Sequence, residues 1–245
     1  MTACPGSPKA AEVKSLLQAE GLWSRYLEVG IGPDAEVFTQ AQPMAAVGYG
    51  ASVGLHPIRK WNNPEPEVVL LVNSKGQIVG ATLGNDVNLR DAEGRSALLL
   101  SKAKDSNAAA SVGPFIRLSD ADFALDSVRG LELTLTVTGE DCFVLQGASS
   151  MHQISRDPAD LVAQTRERHD QYPDGFVLYC GTMFSSGQDR DGPGQGFTHH
   201  LGEVVTISAL EFGRLTNTVR LSTEAPEWQF GTAVLMRNLA ARALL

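Results

Sequence analysis

The sequence predicts an α+β fold: a strand-rich, mixed β-roll or barrel with helices at its periphery. Three observations lead there. Short apolar runs with strand character recur along most of the chain without the sustained alternation with helices that a parallel α/β sheet needs. One pair of runs, "VVLLVN" and "IVGATLGND", is joined by the tight turn "SKGQ" and reads as a β-hairpin. Helical periodicity is confined to the two ends and one internal insertion.

Taken in order, Ser7-Pro8 supplies an N-cap and a first-turn proline, and Val13, Leu16 and Leu17 follow at helical spacing. Residues 1–36 therefore form a helical arm, and 37–245 form the main domain. Residues 35–43, "AEVFTQAQP", are expected to be a strand. Residues 44–60 are read as a glycine-punctuated loop, long enough to suggest a functional role. The hairpin over 68–86 comes next, and "LRDAEGRSALLLSKAK" offers one or two short helices. "SVGPFIRL", "LELTLTV", "CFVLQG" and "GFVLYCGT" are further strands, and "LELTLTV" alternates with period two as a half-solvated strand does. Asp157-Pro158 caps a helix over 157–171. "EVVTISA" and "RLTNTVRL" are late strands, and residues 228–245 close the chain as an amphipathic helix.

Composition excludes several functions. In 245 residues the formal charge is −8 and there is no basic run, which argues against a sequence-independent hold on nucleic acid. No apolar run approaches the roughly 18 residues that cross a bilayer, so the expectation is a cytoplasmic protein with no membrane or nucleic-acid partner. Cys4, Cys142 and Cys180 form no CxxC pair and are read as reduced bystanders. His199 and His200 are read as a surface pair, and zinc is disfavoured.

The chemistry concentrates at the hairpin. Residues two apart on a strand share a face, so Glu65 and Glu67 project together while Pro66, which donates no ladder bond, suits a strand start. Antiparallel return of the second strand brings Asp86 beside them. Three carboxylates on one patch repel unless a cation compensates. Oxygen-only ligation favours a hard ion such as Mg²⁺, Mn²⁺ or Ca²⁺, with positions left for water and substrate. Lys104 lies in a stretch of small residues, where it is available as an acid/base group or a substrate clamp.

The block from Trp61 to Ile116, with "PEPE", "GND" and "AK" at these intervals, resembles the fumarylacetoacetate hydrolase family, including its 2-keto-3-deoxy sugar-acid dehydratase branch. The likeness continues through "SSMHQISRDP", "YCGTMF" and "GFTHHLGEVVTIS". It implies that Glu65, Glu67 and Asp86 hold Mg²⁺ or Mn²⁺ and that Lys104 contacts substrate. It further implies that Arg90 and Asp91 complete the catalytic group by orienting the ligands, and that Thr182, Ser149 and Ser150 line the substrate position. The fold implied is that of the family's C-terminal domain, and the partners implied are a small 2-oxo acid and a second copy of the chain. The activity implied is dehydration of a 2-keto-3-deoxypentonate to 2,5-dioxopentanoate through an enolate. The alternatives are C–C bond hydrolysis of an acylpyruvate or 2,4-diketo acid, and oxaloacetate decarboxylation or tautomerisation. Four departures stand out. Gln40 replaces a lysine usual after the threonine, Gly202-Glu203 stands for a "GD" motif, the hydrolases' Glu–His dyad has no clear counterpart, and relatives extend further at the N-terminus.

Overall fold

The computed structural model describes residues 4–58 and 60–245. It contains two sheets: a five-stranded one in the order β1-β9-β8-β5-β6 and a four-stranded one in the order β4-β3-β2-β7. The strands are β1 (Ser52–Leu55), β2 (Pro66–Val72), β3 (Ile78–Asp86), β4 (Ala110–Leu118), β5 (Glu132–Thr138), β6 (Val144–Ser150), β7 (Phe176–Tyr179), β8 (Val204–Ala209) and β9 (Gly213–Leu221). All named pairings are antiparallel except β1 with β9, so the roll is mixed as expected.

The sheets share one apolar core. Val68, Leu70 and Val72 of β2 meet Leu133, Leu135 and Val137 of β5, together with Val205 and Ile207 of β8 and Leu215 and Val219 of β9. Alternate residues of β5 face solvent, as its period-two pattern requires. On β2 the alternation leaves Glu67 and Val69 on the face turned away from this core.

The hairpin forms because Asn73 Oδ1 accepts from the N–H groups of Lys75 and Gln77 while Gly76 takes a positive φ of 77°. Helices lie outside the sheets: α1 (Pro8–Ala19), α2 (Arg25–Ile31), α3 (Arg90–Glu93), α4 (Leu100–Lys104), α5 (Leu125–Arg129), α6 (Pro158–Thr165) and α7 (Thr232–Ala241). Ser7 caps α1 and Asp157 caps α6, each followed by proline. The N-terminal arm is pinned by Arg156, whose guanidinium donates to the carbonyls of Val29 and Gly32.

Three expectations fail locally. Residues 35–40 form no strand: the backbone is irregular, and the N–H of Ala35 is taken by the Gln164 side chain rather than by a sheet neighbour. The loop over 44–60 contains β1, four residues too short to stand out by periodicity, recruited by parallel pairing to β9. The helix expected over 157–171 stops at Thr165, whose hydroxyl bonds back to the Leu161 carbonyl.

Candidate metal centre

Hairpin register builds the site. Pro66 pairs with Asn85 and Glu67 with Gly84, and the N–H of Asp86 donates to the carbonyl of Glu65, so Asp86 stands opposite Glu65. One oxygen from each of Glu65, Glu67 and Asp86 lies within 4.8 Å of the others. Gly84 keeps this face open: a Cβ there would meet Val69 Cγ2 at 2.4 Å and Tyr179 Cε1 at 2.5 Å.

The carboxylates are enclosed rather than solvated. Glu67 and Asp86 are 3% and 4% exposed. Lys104, also buried, reaches in from the end of α4 and donates to Glu65 Oε2 at 2.5 Å and Asp86 Oδ2 at 2.8 Å. The Gly181 N–H donates to Glu67 Oε2 at 2.6 Å, and the Gln40 amide donates to Asp86 Oδ1 at 2.5 Å. Asn88 bridges Glu65 and Glu93.

The electrostatics follow from this packing. Burial, reinforced by the neighbouring carboxylates, pushes Glu67 well above the carboxylate range. Burial likewise pushes Asp86 up to about 7, against the opposing pull of Lys104. Lys104 moves up despite its burial, because Asp86 and Glu65 hold it as the ammonium. With all three acids ionised, as metal ligation requires, the one ammonium bonded to them among the described residues leaves a deficit of positive charge.

The donor set fits a hard divalent cation. Every candidate ligand atom is a carboxylate oxygen. Gln40 Oε1, Asn63 Oδ1, Asn85 Nδ2 and Asn88 Oδ1 are shielded polar atoms without a partner among the described residues, and they sit on residues that flank or bond these carboxylates. Such orphans gather where a ligand belongs.

The other expected site residues divide. The Arg90 guanidinium lies 4.5 Å over the Trp61 ring, and Asp91 Oδ1 accepts from the Trp61 N–H, so both brace the segment that leads into Glu65. The Thr182 hydroxyl donates to the Pro66 carbonyl and accepts from the Phe184 N–H, fastening the loop after β7 to the metal strand, while Ser149 Oγ accepts from the Met183 N–H and fastens that loop to β6. Ser150 alternates to the other face of β6, and its hydroxyl donates to Glu132 on the surface. The structure does not bring it to the carboxylates.

Two further readings change. Gln40, noted for the charge it lacks, is a direct neighbour of Asp86. His199 is buried instead of superficial: Nδ1 bonds Glu203 Oε2 at 2.8 Å, Arg190 holds the other oxygen of Glu203, and the His199 N–H donates to Asn62 Oδ1. Burial lowers the His199 pKa while its partners hold Glu203 ionised, so Nδ1 is the protonated nitrogen. Adjacency to the exposed His200, bonded to Asp191, had hidden this. Cys4 and Cys142 are exposed and free, and burial pushes the Cys180 thiol up.

A family model for the C-terminal region of fumarylacetoacetate hydrolase matches residues 31–220. The chain belongs to that family. Among its relatives, a 2-dehydro-3-deoxy-D-arabinonate dehydratase from Saccharolobus solfataricus is 30% identical over 155 residues, 63% of this chain and 51% of that protein. A probable 2-keto-3-deoxyxylonate dehydratase from Haloferax volcanii is 30% identical over 194 residues, 79% of this chain and 63% of that one. The structure of a 2-keto-3-deoxy-D-arabinonate dehydratase complexed with magnesium and 2,5-dioxopentanoate aligns with a TM-score of 0.69 at 27% identity, covering 81% of this chain and 66% of that one. The chain thus spans about half to two thirds of the length of these fumarylacetoacetate hydrolase family members.

Proposed function

We propose that the chain is the catalytic part of a divalent-metal-dependent hydro-lyase that dehydrates a 2-keto-3-deoxy sugar acid, a pentonate giving 2,5-dioxopentanoate and water. The observation that carries the reading is the enclosed Glu65, Glu67 and Asp86 trio, with Lys104 the one basic side chain bonded to it among the described residues. The names of the two relatives and the ligands of the solved dehydratase support the same chemistry. In this reading Glu65, Glu67 and Asp86 hold Mg²⁺ or Mn²⁺, and residues 37–245 carry the activity while 1–36 serve as an arm.

When bound, the ion supplies Lewis acidity toward the carboxylate and keto oxygens of a 2-oxo acid. The protein's own groups do the rest. Lys104, held as an ammonium at the site, offers a cationic clamp for the substrate carboxylate. Gly181 keeps Glu67 aimed, and Thr182 and Ser149 hold the loop that would contact the substrate. Arg90 and Asp91 act on the ligands indirectly, through Trp61. Tyr179, its phenol pushed up by burial beside the acids, donates to the Ser111 carbonyl and walls the site.

A homodimer in the cytoplasm completes the proposal. Among the described residues no helix is long and apolar enough to cross a membrane. The edge strand β4 presents Phe115, Ile116 and Leu118, 51–71% exposed, and α7 buries none of its residues against the rest of the chain. Contiguous apolar surface of this kind marks an interface.

The decisive experiment offers both enantiomers of 2-keto-3-deoxypentonate, with and without EDTA, and follows the aldehyde product. Mg²⁺-dependent aldehyde formation is expected. Metal-dependent release of pyruvate from an acylpyruvate, with no dehydration, would replace the proposal with C–C hydrolysis. Glu67→Gln is expected to abolish turnover with the circular-dichroism spectrum unchanged.

A further inference from the structure

Gln40 is not a carboxylate ligand, yet its side chain is drawn into the cluster. Its Nε2 donates to Asp86 Oδ1 at 2.5 Å. In the ionised form that metal ligation needs, Asp86 only accepts, so this contact orients the amide with nitrogen toward Asp86 and Oε1 turned elsewhere. Oε1 is shielded from solvent and has no partner among the described residues. A desolvated acceptor with no donor is rare in folded chains.

Among the described residues no donor near the cluster reaches Oε1: Asn85 Nδ2 is itself without a partner and so does not bond it, and the others are engaged. The Lys104 ammonium serves Glu65 and Asp86, the Asn88 amide serves Glu65 and Glu93, and the Gly181 N–H serves Glu67. The missing donor therefore arrives with the ligand. The ionised head of a 2-oxo acid carries three oxygens and no hydrogen to give. An O–H donor must come from a hydroxyl further along the acid, or from a water brought in with the ion.

We propose that Gln40 is a specificity-determining residue whose Oε1 accepts a hydrogen bond from a substrate hydroxyl, so that the site selects hydroxylated 2-oxo acids over their deoxygenated counterparts. The Asp86 contact makes the selection possible by locking the amide in place. This inference rests on the reading of the site as a metal-dependent 2-oxo acid site.

The test is calorimetric and needs no turnover. At saturating Mg²⁺, the wild-type chain and Gln40→Met are titrated with 2-oxopentanoate and with its 4-hydroxy and 5-hydroxy derivatives, and Mg²⁺ alone is titrated into each protein. Comparing acids within one protein sample removes any difference in the folded fraction. The wild type is expected to bind at least one hydroxy acid about tenfold more tightly than 2-oxopentanoate, and Gln40→Met to bring the ratio close to one. Equal binding of all three acids by the wild type overturns the inference and leaves the parent reading standing. A preference that survives in Gln40→Met, with only the affinity for Mg²⁺ reduced, also overturns it and assigns the donor to a water on the ion. No Mg²⁺-dependent binding of any 2-oxo acid by the wild type overturns both.

Discussion

Lys104 donates to Glu65 and Asp86 together, so its ammonium and a divalent ion compete for the same oxygens. Replacing it with methionine should strengthen Mg²⁺ binding by about tenfold while lowering turnover at least ~100-fold, a split that calorimetry and steady-state kinetics separate. Proton competition gives a second expectation. Asp86 titrates near 7 without metal, above the ordinary carboxylate value, so its share of the metal-free chain's stability is greatest at low pH and is lost as pH rises through about 7. Bound metal needs the ionised form, so the rise in Tm produced by Mg²⁺ should be larger at pH 8 than at pH 6, and Asp86→Asn should flatten this difference. Buried His199 has the opposite sign, its folded pKa lying below 6.5, so its share is lost as pH falls. Comparing samples with and without Mg²⁺ isolates the Asp86 contribution. At this scale the three acids and Lys104 were legible, because type and spacing identify them. The contacts of Gln40 and Asn88 with these acids, and the burial of His199, were not, because a neutral amide or a histidine has no pattern until a neighbour is placed.

The hairpin of β2 and β3 carries the site, and its weak point is Gly84. A side chain there collides with Val69 and Tyr179 from two adjoining strands. Gly84→Ala should cost about 1–3 kcal/mol in urea denaturation and weaken Mg²⁺ binding by shifting Asp86 two residues on; an unchanged midpoint would contradict the packing. The strands of this hairpin and β5 were readable, since turn residues and period-two alternation are local signals. The helices α2 and α5, of seven and five residues, were missed, and β1 was hidden in a loop, because elements this short are stabilised by what they pack against. Residues 35–43 had strand-like composition, but the sheet offered residues 35–40 no neighbour, and that stretch stayed irregular.

The two sheets turn one face each to a common core, and the four-stranded sheet carries the carboxylate cluster away from it. Edge strand β4 then carries the exposed Phe115 and Leu118. If this edge is the dimer contact, Phe115→Glu should convert a dimer to a monomer in light scattering at micromolar concentration with the melting curve cooperative; a variant that remains dimeric would move the contact elsewhere, with α7 the next surface to test. The order of strand-forming runs, the absence of βαβ alternation and the spacing of the acids determine the fold class and the chemical type of the centre, because those properties depend on periodicity and side-chain functional groups alone. Tertiary structure decided which residues enclose that centre, since enclosure arises from contacts between segments far apart in the chain: Gln40 with Asp86, Gly181 with Glu67. It also sent Ser149 inward and Ser150 outward, a choice set by which face of β6 the neighbouring sheet covers.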